Sequence, residues 1–220
     1  MMTADFLITD ALVPLRPSDT GEEALGIMNE FYIRHLPVVD GTKLVSVISE
    51  SDVLDADPEE EVSTYRVAQL PPSVYPDDHL YDVMRQLVDN NLTVVPVINR
   101  EGDYVGMVTG EDLLRFFAQS STFSDPGSIV VLEVGRHDYS LAEIARIVES
   151  DNAIVLSSFV RTAAESQQVE VTLKLNSQNI AGTIATFERF NYVVKASFNE
   201  KQLQDTLRER YDSLLNYLNV

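Results

Sequence analysis

The sequence predicts an α/β (α+β) protein. A duplicated helix–strand–turn–strand–helix unit comes first, then a βαββαβ unit and a C-terminal helix. Three observations carry this reading. Pro17-Ser18-Asp19 returns as Pro76-Asp77-Asp78, and Leu36-Pro37-Val38-Val39-Asp40 returns as Val95-Pro96-Val97-Ile98-Asn99, both at an offset of 59. The stretch Val45 to Asp52 returns as Val105 to Asp112 at an offset of 60, with one residue added in the turn Asn99 to Asp103. Beyond a polar linker, strand and helix spacings then alternate in the order βαββαβ.

Each repeat reads alike. Proline followed by Ser or Asp predicts a turn and a helix N-cap. Ala24, Leu25 and Met28 in the first repeat, and Val83, Met84, Leu87 and Val88 in the second, give an apolar face at helical spacing. Apolar strands follow at Leu36–Val39 and Thr93–Ile98, then the turns Asp40-Gly41 and Glu101-Gly102. Second strands run Leu44–Ile48 and Tyr104–Val108, and closing helices start near Ser51 and Glu111. One such unit leaves a sheet face uncovered, so two are expected to pack together.

Ser120 to Ser128 is Pro/Gly-punctuated and reads as a linker. Strands are expected at Ile129–Val134, Ala153–Phe159, Gln168–Leu175 and Tyr192–Phe198, with helices at Ser140–Glu149 and Ile180–Phe190. That order is the ferredoxin-like arrangement. From Lys201 to Val220, Leu203, Leu207, Tyr211, Leu214, Leu215 and Leu218 fall on one helical face, expected to dock on its own domain or a second subunit.

Composition narrows the function classes. With 16 Lys and Arg against 35 Asp and Glu in 220 residues, the net charge is −19. Such a surface repels phosphate backbones and anionic lipid, so neither nucleic acid nor membrane is an expected partner. The absence of cysteine excludes disulfides and thiolate metal sites, and three histidines argue against a His-rich metal centre. Met1 to Asp10 lacks the marks of a signal peptide, and a cytoplasmic location is the expectation. The acidic run Asp55 to Glu61 lacks calcium-loop spacing and reads as a solvated linker. His137-Asp138 has no nucleophile beside it and reads as a loop pair. With no hydrolase, metalloprotease or Gly-rich nucleotide motif present, no enzyme is expected.

Over Thr3 to Gln119 the two repeats, each with a Leu-Pro-Val-like strand and an apolar-Ser/Thr-x-x-Asp step, resemble a tandem pair of cystathionine-β-synthase (CBS) domains, the Bateman module. The implied domains are 1–60 and 61–119, followed at 128–220 by a unit resembling an ACT-type regulatory domain with a C-terminal amphipathic helix. The layout is similar to acetoin-utilisation-type CBS/ACT accessory proteins. The resemblance implies a non-catalytic sensor whose cleft takes an adenosine-containing ligand (AMP, ADP, ATP, S-adenosylmethionine or NAD) and passes the signal to an unidentified partner protein. It implies no required cofactor, and a homodimer is expected. The other open reading is a structural dimerisation protein with degenerate ligand sites.

In the family, the aspartate of the step accepts from the ribose hydroxyls, and the Ser/Thr three residues earlier contacts ribose or phosphate. The matching positions here are Asp52 and Ser49 in the first repeat, and Asp112 and Thr109 in the second. From the residues alone, each aspartate is equally a helix cap. Strand backbone about Pro37 and Pro96 would meet the base. Arg34 and His35 either balance nucleotide phosphates or are simply a solvent-facing Arg and a partly buried His. Gly106, where the first repeat has Ser46, is expected to let a ligand approach the backbone. Gly135 to Leu141 departs from the ACT ligand loop Asp-x-Pro-Gly-x-Leu, having neither its proline nor its glycine.

Overall fold

The computed structural model describes residues 2–9, 11–65, 71–162 and 167–199. Two compact units divide between Phe117 and Ala118.

In the first unit, α1 (Gly21–Glu30), the hairpin β1 (His35–Asp40) and β2 (Lys43–Ser49), and α2 (Glu50–Leu54) form the first repeat. The second has α3 (Leu80–Asp89), β3 (Val94–Ile98), β4 (Tyr104–Thr109) and α4 (Gly110–Ala118). Both hairpins are antiparallel, pairing Pro37 with Val47 and Pro96 with Met107. Gly41 and Gly102 take φ of +61° and +80° in the turns, where a Cβ would be strained. A short parallel segment borders each hairpin, through Leu15 beside Val38 and Val74 beside Val97.

The repeats exchange their leading segments. Ala4 and Leu7, on a 3-10 turn at Ala4–Leu7, are buried with Leu80, Val83 and Val95 of the second repeat. Val62 and Tyr65, around a 3-10 turn at Val62–Thr64, are buried with Leu36 and Ile48 of the first. Val94 and Met107 of the second repeat also enter that first core. The hairpin tips meet too. Asp103 takes the Lys43 ammonium at 2.8 Å and the Thr42 hydroxyl at 2.7 Å, and Tyr104 N–H donates to the Thr42 carbonyl at 2.7 Å.

The N-caps of α1 and α3 differ from expectation. Thr20 caps α1 in a reciprocal box with Glu23, and His79 caps α3. Asp19 and Asp78 close the turns before them, accepting the N–H groups of Arg16 at 2.7 Å and Tyr75 at 2.8 Å. A carboxylate engaged three residues back is not free to cap.

The second unit begins with one helical turn, α5 (Ser121–Ser124), inside the stretch read as linker. It continues through β5 (Ser128–Gly135), α6 (Leu141–Ser150), β6 (Val155–Thr162), β7 (Gln168–Leu175), α7 (Ala181–Arg189) and β8 (Val193–Asn199). The antiparallel sheet has order β6-β7-β5-β8, which is the ferredoxin-like arrangement. Val130, Leu132, Val171 and Leu173 bury one sheet face with Ile144, Val148 and Phe187. β6 starts after Ala153, because Asn152 turns with φ +56° and the ladder opens at Val155 opposite Leu175. The helix expected over Lys201–Val220 lies outside the described residues. Among the described residues, no helix is long and apolar enough to cross a membrane.

Candidate functional site

Two equivalent strand-to-helix steps organise the first unit. At the end of β2, Ser49 caps α2: its hydroxyl accepts Asp52 N–H at 3.1 Å, while Asp52 Oδ2 accepts Ser49 N–H at 2.7 Å and its O–H at 2.6 Å. At the end of β4, Thr109 and Asp112 repeat the pattern at 3.0, 3.2 and 2.6 Å. The expected capping role is therefore filled at both positions. Each cap consumes one carboxylate oxygen. Oδ1 of Asp52 and Oδ1 of Asp112 accept no hydrogen bond among the described residues. Because the Ser49 and Thr109 protons are spent on carboxylates, these two hydroxyls can only accept from a ligand.

The first step lies at the boundary between the repeats. His35 stands opposite Ser49 across β1 and β2, and the Glu50 N–H donates to the Arg34 carbonyl at 2.9 Å. From the second repeat, Thr93 reaches over: its hydroxyl oxygen accepts Arg34 N–H at 2.9 Å, and its own N–H donates to His35 Nδ1 at 3.2 Å. The Thr93 carbonyl in turn accepts Gly110 N–H at 3.1 Å, beside Thr109. One residue thus bridges the two steps. Burial, then the Arg34 charge, lower the His35 pKa against an opposing pull from Asp52.

The CBS domain family matches residues 4–59 and 67–119. The chain carries a tandem pair of CBS domains. Inosine-5'-monophosphate dehydrogenase of Korarchaeum cryptofilum is 27% identical over 191 residues, which are 83% of this chain and 39% of that enzyme. The chain thus spans about two fifths of that relative's length. Among solved structures, CBSX2 in complex with AMP superposes with TM-score 0.48 at 25% identity, over 54% of this chain and 98% of that one. An acetoin utilization protein (AcuB) from Vibrio cholerae gives 0.46 at 23%, over 53% and 90%.

Within the CBS pair, the other sequence candidates are placed as follows. Pro37 and Pro96 are buried in β1 and β3, and their carbonyls accept the N–H groups of Leu15 at 2.9 Å and Val74 at 3.0 Å. Arg34 is exposed and His35 half-buried. The space expected over Gly106 is already filled: a Cβ there would come within 2.5 Å of Ile8 Cγ2. The exchanged N-terminal segment puts Ile8 there, since Thr9 N–H donates to the Met107 carbonyl at 3.0 Å. Sequence comparison of the repeats treats each as self-contained, so Ile8 and Thr93 were missed. The only signal for Thr93 was its alignment with Arg34.

Among the described residues, no group of three or more His, Cys, Asp or Glu is placed to hold a metal ion. In the second unit, a cavity of ≈ 320 Å³ opens at the loop after β5, lined by Glu133, Gly135, Asp138, Glu143, Gln168 and Tyr192 among others. Tyr192 O–H donates to Glu143 at 2.9 Å, and burial beside these carboxylates pushes the phenol up to about 12.

Proposed function

We propose that the CBS pair is the sensing half of a non-catalytic regulatory protein and binds an adenosine-containing ligand. AMP, ADP, ATP, S-adenosylmethionine and NAD share the feature that matters, a ribose with two adjacent hydroxyl donors. The free Oδ1 on each capped aspartate carries this reading. A carboxylate already fixed by its cap is pre-organised, and its remaining oxygen needs donors, which a vicinal diol supplies. Asp112 with Thr109 would hold one ribose and Asp52 with Ser49 a second. Arg34, exposed at the repeat boundary, would meet phosphate. The base would lie along the strands that carry Pro37 and Pro96, where Leu15 and Val74 already occupy the proline carbonyls. A ligand preferring one arrangement of the repeats would shift the population toward it and pass the change to a partner protein. The working unit in this reading is a homodimer, with the C-terminal unit serving as an ACT-like module.

Calorimetric titration with the panel of adenosine ligands tests this. Saturable binding that loses the Asp112 site in Asp112→Ala is expected, and indifference to every member overturns it. A structural dimerisation role is the second reading. Its supporting observation is Ile8, which occupies the space over Gly106, and it expects no ligand to bind.

A further inference from the structure

The His35–Thr93 contact joins the two repeats through an atom that can take up a proton. Thr93 uses its hydroxyl oxygen to accept Arg34 N–H at 2.9 Å. Its own hydroxyl hydrogen is left to point at His35 Nδ1, 3.1 Å away, beside the backbone N–H that donates there at 3.2 Å. Two hydrogens of one repeat therefore converge on a single ring nitrogen of the other. That geometry requires a bare Nδ1 and puts the ring proton on Nε2.

We infer that protonation of His35 weakens the latch between the two CBS domains at this end by removing its bond from the Thr93 N–H. A proton on Nδ1 faces the Thr93 N–H donor against donor, so that bond across the boundary is lost, while the Thr93 hydroxyl is left to turn and accept from the ring and keeps the Arg34 N–H. The charges acting on the ring are Arg34, beside it in sequence, and Asp52, on α2 of the same repeat. Ser49, opposite it in the hairpin, and Thr93, from the other repeat, are uncharged. Arg34 repels the new charge and Asp52, on the ring's own side of the boundary, attracts it. In the second repeat, Val94 stands where the first has His35, opposite Thr109, and cannot titrate. The latch is one-sided. At the hairpin tips, Asp103 is held at a pKa of about 2 and keeps its bonds throughout mildly acidic pH. Acidification therefore loosens one end of the contact and leaves the other unchanged. The latch exists whether or not a nucleotide binds.

Long-range 1H–15N spectra of the full-length protein between pH 8 and pH 5 test it. His35 is assigned by its loss in H35Q among the three histidines of the chain. The expected result is the Nε2–H tautomer at pH 8, a midpoint below 6.5, and a Thr93 amide signal that moves with that midpoint in the wild type but not in H35Q. Below the midpoint, the latched fraction falls about tenfold per pH unit. An Nδ1–H tautomer, a midpoint at or above 6.5, or a Thr93 amide unmoved through the titration overturns the inference.

Discussion

The Thr109 hydroxyl donates to Asp112 Oδ2 at 2.6 Å, and Ser49 makes the same bond to Asp52 at the same distance. Two points of sequence, 60 positions apart, thus converge on one local geometry. In both, the aspartate caps a helix with one oxygen and leaves the other bare.

That division of labour separates stability from binding. Asp112→Ala removes the carboxylate half of the Thr109 capping box and is expected to cost about 1 kcal/mol, read from urea unfolding. Under the proposed function it also removes the ligand held at the Asp112 step, a loss out of proportion to the stability change. Asp52→Ala is expected to match it in stability, so any difference in binding ranks the two sites.

Ile8 and Gly106 form a lock between the N-terminal segment and β4. Gly106→Ala drives a Cβ to within 2.5 Å of the Ile8 methyl. A β-branched side chain has little freedom to withdraw, so the substitution is expected to destabilise by about 1–3 kcal/mol. Ile8→Ala combined with Gly106→Ala is expected to destabilise by less than the two single changes summed. Strict additivity in the double-mutant cycle would show that the two residues do not touch.

Asp103 governs the acid limb at the hairpin tips. Bonds from Lys43, Thr42 and Asn99 depress its pKa from 3.8 to about 2. A depressed carboxylate stabilises the fold above its unfolded pKa, and the contribution is lost as pH falls between those two values. Asp103→Asn is therefore expected to be less stable at pH 7, and to lose stability less steeply than the wild type below pH ~4. Parallel thermal-melt curves for the two proteins in that range would contradict this.

Thr183 ties α7 to the end of α6. Its fully buried hydroxyl donates to Asp151 Oδ2 at 2.6 Å. Thr183→Val keeps the volume, removes the bond and is expected to destabilise the C-terminal unit by about 1–2 kcal/mol, measured by hydrogen exchange of that unit's amides.

Much of this architecture was legible from local pattern. The hairpins at Leu36–Ile48 and Val95–Val108 were readable because a strand alternates or runs apolar within a few residues, and because Gly41 and Gly102 mark turns that need positive φ. Gln168–Leu175 came out with its bounds intact because its alternation is clean. The caps of α1 and α3 were misread, since a carboxylate's choice between turn and helix depends on geometry that composition does not carry.

By itself, the sequence determined the duplication, the order of elements in both units and the two Ser/Thr-x-x-Asp steps, all of which rest on contacts within a dozen residues. Only the tertiary structure decided that the leading segments are exchanged, that Ile8 fills the space over Gly106, and that Thr93 reaches His35. The last two pairings bring together residues 58 or more positions apart. Their partners are chosen by how apolar cores close in three dimensions, which no periodicity along the chain records.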